Sequence, residues 1–404
     1  SMSTVLATLL LGLSSLCVVD TAVRDRSQTE WLGRSLVPDA ADALADGDRF
    51  GVSVSKQGDY AVVGADRRGT TGEAFVFDRN YDSTEVAAGN TVTGYWGQRK
   101  QIESSDKAAG DRFGATVAVY GDWIVVGAPM ADPGSNPAAG KAYFFERNQG
   151  GADNWGQVYI RSSDDPRDGE NFGASVDMSD SYAVVGCPMC HHKTSPENDP
   201  GKVFVYSRGD SWNPVAILSA SDAQRYSGFG ASVSVTEDFI AVGAFKDHPT
   251  EAPASGFRNP GSVYVFTRDS GWTTFQKLTA PTLSHNLFYG QSVSIRDSVL
   301  SVGAPKASLG NADVYQYIPD PANGVGKWRL FKTWDSSASQ DPATLAFQGQ
   351  AMNSDGSNAI VGDPFYHTAT DITGAAFLVP HRLVAVGENA MHQSPSTPFT
   401  WRYV

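Results

Sequence analysis

Four residues of the types that bind metals or form covalent links lie together in the run Cys187-Pro188-Met189-Cys190-His191-His192. Thiolate sulfur and imidazole nitrogen are donors that zinc accepts, and Cys-x-x-Cys-His also matches the attachment pattern of haem c. The run begins at the end of a predicted buried strand and continues into an exposed loop, which offers a haem no pocket. A Cys187–Cys190 disulfide, two free thiols and a metal site that includes both histidines all remain open, the metal site being the weakest.

The histidines are concentrated in predicted loops. Of the seven in the chain, four follow the second strand of a predicted unit, and His285 lies in a loop between units. The loops after the second strand also differ most in length and content, since residues 188–200 and 245–260 are long and residues 305–311 are short. Variable loops on a regular scaffold are where binding residues usually lie.

Signatures of catalysis are weak in comparison. The sequence has no G-x-S-x-G, H-E-x-x-H or phosphate-binding loop, and no polar residues interrupt the apolar strand pattern in several units. We therefore expect no catalytic residues. The enzymatic alternative is a polysaccharide lyase or hydrolase with an acid and a base drawn from four residues. These are His192, His248, Tyr226 and Tyr366.

The loops are connected by segments with the patterns of short strands. Residues 111–119 alternate large and small side chains, and residues 123–129 form a nearly continuous apolar run after a tight turn. Residues 141–147 and 155–164 predict a third strand and a more amphipathic fourth. The unit is thus a four-stranded antiparallel sheet whose first two strands are buried on both faces.

This unit recurs along the chain at intervals of roughly 60 residues, which is the sign of a repeat architecture. Each copy begins with an aromatic residue near a glycine and continues to a turn similar to Val-Gly-Ala-Pro. The predicted anchor residues are Phe50, Phe113, Phe172, Phe229, Phe288 and Phe347. Four strands per unit predict the blades of an all-β propeller. The glycines are expected where strands of neighbouring blades crowd together.

The pattern FG-x-S/A-V, then VGAP, then G-x-V-Y-V-F resembles the FG-GAP repeat, the blade unit of the integrin α-subunit head. Segments such as residues 106–114 (DKAAGDRFG) and 217–230 (ILSASDAQRYSGFG) are still more similar to FG-GAP repeats of secreted and surface proteins. The resemblance extends from residue 46 to about residue 380.

The resemblance implies adhesion or ligand binding. Integrin-type heads bind protein ligands on the propeller face that carries the loops after the second strands. From it we nominate exposed-type residues of these loops as ligand contacts. They are Met130, Asp132, His191, His192, Lys193, Phe245, Lys246, Asp247, His248, Phe257, Arg258, Tyr366 and His367. The expected ligand is a protein or a glycan.

Calcium is a second implication of the resemblance, because integrin-type blades often carry a D-x-D/N-x-D-G-x-x-D loop between strands 1 and 2. In this sequence the corresponding turns are only a few residues long, as in Tyr120-Gly121-Asp122. The nearest match, residues 353–356, has Ala359 where the last carboxylate should be. We expect no cofactor, with calcium or zinc as weak alternatives.

The number of blades depends on the two ends of the chain. Residues 1–38 and 382–404 contain further strand-like runs, which together predict a shared seventh blade that closes the ring. In the alternative, residues 31–37 complete the sixth blade and the propeller has six. Residues 1–404 would then form a single domain in either case.

Composition restricts the partners. The formal charge of −13 opposes binding to nucleic acid, and three cysteines are too few for a disulfide framework. Residues 6–19 resemble the apolar part of a signal peptide but are too short to span a bilayer comfortably, and we expect a buried strand pair there. We expect a monomeric, non-enzymatic adhesion module located outside the cell or at its surface, with no membrane insertion. A purely structural surface protein is a further alternative.

Overall fold

The described residues fold into six antiparallel sheets with consecutive strands side by side. The computed structural model describes residues 47–81, 96–191, 200–222, 225–248, 259–273, 275–281, 287–304, 311–319, 326–335, 351–354, 358–363 and 375–380, and positions 36, 38, 39, 42, 44 and 45. Five sheets have four strands, and the sixth has three within these residues. None of the helical segments in this part of the chain is long and apolar enough to span a membrane.

The strand bounds repeat from sheet to sheet. The first sheet contains β1 (Phe50–Gln57), β2 (Tyr60–Ala65), β3 (Glu73–Asp78) and β4 (Gly97–Ile102). The second contains β5 (Thr116–Tyr120), β6 (Trp123–Ala128), β7 (Lys141–Glu146) and β8 (Gly156–Arg161). The third contains β9 (Ser175–Met178), β10 (Tyr182–Cys187), β11 (Lys202–Ser207) and β12 (Asn213–Leu218). The fourth contains β13 (Phe229–Val235), β14 (Phe239–Ala244), β15 (Ser262–Thr267) and β16 (Phe275–Thr279). The fifth contains β17 (Ser292–Arg296), β18 (Val299–Ala304), β19 (Asn311–Ile318) and β20 (Lys327–Asp335), and the sixth β21 (Ala351–Ser354), β22 (Asn358–Asp363) and β23 (Ala375–Pro380). Short 3-10 turns at Arg208–Asp210 and Arg268–Ser270 link the third and fourth strands of two sheets.

The sheets are arranged around a common axis. The first strand of each sheet contacts the first strand of the next, in the series β1, β5, β9, β13, β17 and β21. Inner strands that meet in series, with fourth strands at the outside, are the arrangement of propeller blades. The all-β propeller predicted from the repeats is confirmed.

The aromatic anchor of each unit fills the space between two sheets. Phe113 is fully buried in a cluster that joins Val62 and Val76 of the first sheet to the second sheet, and its ring centroid lies 5.3 Å from that of Tyr143. Its backbone N–H donates to the carbonyl of Thr71 in the first sheet at 2.9 Å. The anchor therefore joins neighbouring blades by apolar packing and by a backbone hydrogen bond.

One anchor prediction is wrong. In the fifth unit the fully buried residue is Tyr289, whereas Phe288 is only half-buried. The N–H of Tyr289 donates to Pro260 at 3.0 Å, as the N–H of Phe229 donates to Pro200. Tyr289 directly precedes Gly290, as Phe113 directly precedes Gly114, so the spacing to the glycine marks Tyr289 as the anchor. The equivalent residues of the sixth unit lie outside the described residues.

A pair of glycines marks the contact between neighbouring sheets at four places in the described part of the chain. A Cβ built on Gly127, at the end of β6, would lie 2.1 Å from the carbonyl oxygen of Gly173 in the next unit. The same approach occurs between Gly64 and Gly114, between Gly186 and Gly230, and between Gly243 and Gly290. These distances leave no room for a side chain, so the predicted reason for the glycines is confirmed.

A second set of aromatic contacts joins the blades at the opposite end of the strands. The ring at the start of a second strand packs edge-on against a Trp at or just before the start of the fourth strand of the next sheet, as Tyr60 does against Trp155 at 5.2 Å. The other pairs are Trp123–Trp212, Tyr182–Trp272 and Phe239–Trp328. The sequence analysis did not identify these contacts.

Side chains of one inner strand also satisfy backbone groups of the next. The N–H groups of Val117 and Val119 donate to the hydroxyls of Ser53 and Ser55 at 2.9 and 3.0 Å. Asp177 accepts the N–H of Val235 in the same way, at 2.8 Å. In these contacts, a side chain of one inner strand accepts a backbone N–H of the inner strand of the next sheet.

The predicted closing blade of residues 1–38 and 382–404 lies outside the described residues apart from positions 36 and 38. Leu36 packs with Phe50 and Val54 on the first sheet, as Ile102 packs with Phe113 and Val117 one sheet later. Seven blades therefore stay a prediction, as does the extent of the single domain.

We expect Gly127→Ala to lower the free energy of unfolding by about 1–3 kcal/mol, because the added methyl must force the backbones of two sheets apart. Thermal or urea unfolding of the purified chain measures this. Gly209→Ala is the matched control, since a Cβ there would find its nearest neighbour at 3.6 Å. We expect a change within about 0.5 kcal/mol for the control. Equal effects of the two substitutions would contradict the proposed crowding.

Candidate functional site

The loop face of the propeller is the end where the loops between strands 2 and 3 meet the loops between blades. A backbone hydrogen bond joins the two loops in each of four sheets. It runs from Arg67 to Asp48, from Met130 to Asp111, from Met189 to Glu170 and from Lys246 to Ser227. The prediction that both loop sets open on one face agrees with these contacts.

Seven of the thirteen nominated ligand contacts belong to the described residues. Phe245 and Lys246 lie at the surface of the loop face, with Phe245 half-buried and Lys246 exposed. Met130 and His248 are half-buried, and exposed Asp132 closes its own loop by accepting the N–H of Ala138 at 2.8 Å. The other six nominated residues lie outside the described part of the chain. They are His192, Lys193, Phe257, Arg258, Tyr366 and His367.

His191 is not a surface residue, which corrects its nomination as a ligand contact. Its side chain is 3% exposed, and its Nδ1 lies 2.8 Å from Oε1 of Glu170. The other oxygen of Glu170 accepts a hydrogen bond from the Ser163 hydroxyl at 2.6 Å. Burial raises the pKa of Glu170, and the Ser163 hydrogen bond and the positive charge of His191 partly oppose this. A ligand at the surface would not reach the imidazole.

Cys187 and Cys190 are joined by a disulfide directly beneath His191. Both side chains are fully buried, and the Cys187 sulfur lies 3.5 Å from the carbonyl oxygen of Glu170. Among the described residues, the carboxylate of Glu170 and the two sulfurs form a group within 4.8 Å of one another. Disulfide sulfurs are poor zinc ligands because zinc binds thiolates. In this oxidised form the weak metal candidate is therefore not available.

Asp247 also lies inside the molecule, which corrects a second nomination. It is 0% exposed, pairs with the Lys277 ammonium at 2.8 Å and accepts a hydrogen bond from the Tyr264 hydroxyl at 2.9 Å. Burial, followed by the charge of Asp247, raises the pKa of Tyr264 well above its usual value. A buried charge with such partners holds the loop in place and does not contact an external ligand.

Three aromatic side chains and two cations form an exposed group on the loop face, which we name the aromatic patch. It consists of Tyr226, Phe245, Phe288, Arg225 and Lys246. The rings of Phe245 and Phe288 are 5.7 Å apart, and the ammonium of Lys246 lies 5.1 Å from the centre of the Phe245 ring. Tyr226 is 43% exposed, with the guanidinium of Arg225 4.6 Å from its ring centre. The N–H of Lys246 donates to Ser227, so the two loops of the patch are adjacent.

The backbone of the aromatic patch is strained at two positions. Tyr226 and Phe288 have φ angles of 59° and 53°, in the left-handed region that large side chains rarely adopt. The residue before each anchor has such a φ, and Asn171 and Gly228, which suit it better, occupy the position in two other units. Both conformations belong to the repeat, since Arg49 and Arg112 have a positive φ at the position of Phe288. At the position of Tyr226 the first three units have glycine, so the aromatic side chain there is the unusual feature. From sequence, Tyr226 belongs only to the enzymatic alternative, and Phe288 is the predicted anchor.

A buried polar cluster replaces apolar packing in the fifth unit. Asp313 occupies the place of Tyr264 in the fourth unit, and the hydroxyls of Tyr289 and Tyr315 are 2.5 Å apart beside it. Burial raises the pKa of Asp313 and raises that of Tyr315 to about 12. The cluster lies between the fourth and fifth sheets, where it substitutes for the aromatic pair of the other units.

A groove of about 440 Å³ lies away from the loop face, on the outer rim between β4 and β8. Lys100, Glu103, Asn154, Trp155 and Gln157 contribute to its walls. The side chain of Gln157 spans it by hydrogen bonds to Ser105. The groove therefore belongs to the contact between the first two blades.

At the opposite face, the turn between strands 1 and 2 of each of the first four sheets pairs its carboxylate with an arginine that follows the third strand. Arg208 lies 3.1 Å from Asp180, and Arg268 lies 2.9 Å from Asp238. The same pair occurs between Arg79 and Asp59 and between Arg147 and Asp122. A guanidinium thus faces the carboxylate at positions where integrin-type blades often hold calcium.

We expect the melting temperature to be the same in calcium and in a chelator such as EDTA, because the turn carboxylates already face arginines. Exposed pairs of this kind contribute about 0–1 kcal/mol each, so Arg208→Ala should reduce stability only slightly. Differential scanning calorimetry at fixed ionic strength checks both points. A clear rise of the melting temperature with calcium would contradict this account.

We expect Asp313 to make stability depend on pH. Below the ordinary Asp pKa of about 4 the carboxyl is neutral in both states. As the pH rises towards the raised folded value, the unfolded chain ionises first, so the folded state loses stability. Asp313→Asn does not titrate, so the stability of the variant relative to the wild type should increase with pH across this window. Urea unfolding from about pH 3 to pH 7 measures the difference, and a difference that does not vary with pH would refute the assignment.

Comparison with known proteins supports the repeat unit. A family model described as the FG-GAP repeat matches residues 40–77, 96–145 and 212–266. No curated protein sequence matches the chain.

Several solved structures share a coarse likeness. Hsv2 of Kluyveromyces marxianus is 8% identical, with a TM-score of 0.42 over 87% of this chain and 78% of that one. Hsv2 of Kluyveromyces lactis is 10% identical, with a TM-score of 0.41 over 78% and 70%. The Pan2 WD40 domain of Neurospora crassa is 11% identical, with a TM-score of 0.39 over 77% and 85%. Likeness at this level bears on neither ligand nor activity. The six described sheets form a β-propeller, and three stretches of the chain match the FG-GAP repeat.

Proposed function

We propose that this propeller is a non-enzymatic binding module that holds a protein ligand on the aromatic patch of its loop face. The observation that carries the proposal is the exposure of Tyr226 and the half-exposure of Phe288, both in left-handed backbone, beside two cations. Aromatic and arginine side chains supply most of the energy of protein interfaces. An FG-GAP propeller is compatible with such a role.

The charges of the molecule favour a ligand of a particular kind. Arg225 and Lys246 make the patch locally positive, whereas the chain as a whole carries −13. An extended polyanion such as an acidic polysaccharide would be repelled by the whole molecule. A protein that presents one or two carboxylates among apolar side chains would meet the local charge only. We therefore propose a protein ligand rather than a glycan.

The remaining parts of the proposal follow from the repeat family. FG-GAP repeats are typical of extracellular proteins, which supports a location outside the cell or at its surface. We further propose that the chain acts as a monomer and uses no catalytic residue of its own. Phe257, Arg258 and the residues after His191 stay proposed contributors to the loop face.

The test uses a displayed library of random peptides and a glycan array, each probed with the full chain. We expect enriched peptides to combine Asp or Glu with aromatic or aliphatic residues. Phe288→Asn and Lys246→Glu should weaken the binding of these peptides at least about tenfold, since they remove a central aromatic and reverse a charge. Phe288→Asn places the residue of the third unit at the equivalent position, so the fold should tolerate it.

Arg208→Ala, at the exposed turn on the opposite face, is the control and should leave binding unchanged. If the chain bound glycans and no peptides, the ligand would be a carbohydrate and not a protein. Cleavage of a polysaccharide that depends on Tyr226 or His248 would favour the enzymatic alternative. If neither Phe288→Asn nor Lys246→Glu changed peptide binding, the aromatic patch would be excluded as the binding site.

A further inference from the structure

The third blade departs from the other units at three positions that lie together on the loop face. At the end of the second strand it has Cys187, where four other sheets have alanine. Three residues later it has Cys190, and Glu170 precedes its anchor in place of a shorter side chain. The equivalents in the second sheet are Ala128, Ala131 and Asp111. His191, a histidine that the fourth blade shares as His248, adjoins them, and the repeat does not require this combination.

Three of the four side chains bring their donor atoms together, and His191 adjoins this group through the carboxylate of Glu170. The two sulfurs and a Glu170 carboxylate oxygen lie within 4.8 Å of one another, and Nδ1 of His191 lies 2.8 Å from the same carboxylate. All four residues are at most 3% exposed. Nε2 of His191 is buried, makes no hydrogen bond and lies 3.6 Å from Asp165.

We propose that reduction of the Cys187–Cys190 disulfide converts this set into a zinc site. The ligands are the two thiolates, one oxygen of Glu170 and Nδ1 of His191, a four-donor set of the types that zinc takes. The Cys-x-x-Cys spacing lets one short loop supply both sulfurs. Asp165 is placed to accept the Nε2–H of the bound imidazole, as carboxylates do beside zinc-bound histidines.

The chemistry balances in two steps. A dithiol supplies two electrons and two protons to the disulfide and leaves as its own disulfide, so the protein gains two thiols. Zinc then displaces the two thiol protons, which are released to solvent. Two thiolates and one carboxylate carry three negative charges, one more than the two positive charges of zinc. The ammonium of Lys202, which acts on Glu170, offsets this extra negative charge. Oxidised and zinc-bound forms exclude one another.

The test begins with the full chain unfolded, reduced by a phosphine and refolded under the same reductant. The phosphine takes up the oxygen of a water molecule, binds zinc weakly and leaves two countable thiols at this pair. Zinc is then titrated against a chromophoric chelator. We expect one equivalent of tight binding in the reduced chain and none at this set in the oxidised chain. Cobalt in place of zinc should give a thiolate charge-transfer band.

Variants separate the site from adventitious binding. Cys187→Ala with Cys190→Ala recreates the alanine pair of the second sheet, so it should fold and should lose the zinc. Glu170→Gln and His191→Ala should weaken binding at least about tenfold, since loss of even an outer partner costs 10–100-fold. His248→Ala, at the position equivalent to His191 in the fourth blade, is the matched control and should change nothing.

An independent measurement covers the case in which the reduced chain does not refold. The chain is produced in a reducing cytosol, purified without air and analysed for metal by mass spectrometry. One zinc per chain that disappears in the double alanine variant supports the proposal. Two counted thiols without zinc, or zinc that persists in the double variant, would overturn it.

Discussion

The close approach of two glycine backbones between neighbouring blades is the constraint on which the rest of this structure depends. At the end of the second strand of the first four sheets, the chain passes so near the next blade that a methyl group would overlap a carbonyl oxygen, as at Gly127 and Gly173. This approach fixes the distance between sheets. The ring of Phe113 then fits the remaining gap, and the inner serines reach the neighbouring N–H groups.

Two aromatic contacts, one on each side of the glycine pair, keep neighbouring sheets in a constant orientation. The anchor lies near the loop face, and the Tyr60–Trp155 type of contact lies near the opposite face. Because the same contacts recur at successive interfaces, the loops are free to vary without moving the sheets. The loops of the third blade contain a buried Glu170–His191 pair, whereas those of the fourth blade expose aromatic rings.

The local sequence pattern predicts most of the fold but less of the candidate functional site. The strands of the second unit could be predicted from their apolar runs because each strand is buried by neighbours within the same unit. The Tyr60–Trp155 contact could not, since its partners belong to different units. The burial of His191 and Asp247 was equally hidden, because it depends on Glu170 and Lys277, which other segments supply. Tyr289 could have been predicted as the anchor, because it directly precedes Gly290 as Phe229 precedes Gly230.

The side chains that accept hydrogen bonds from the inner strands affect the tendency of the protein to self-associate in solution. A strand edge with unpaired N–H groups is a template on which another chain can add a strand. In this propeller the side chains of Ser53, Ser55 and Asp177 already accept those hydrogen bonds across the inter-blade gap. The scaffold thus protects its innermost edges from self-association with short polar side chains, which a sequence scan for apolar cores would pass over.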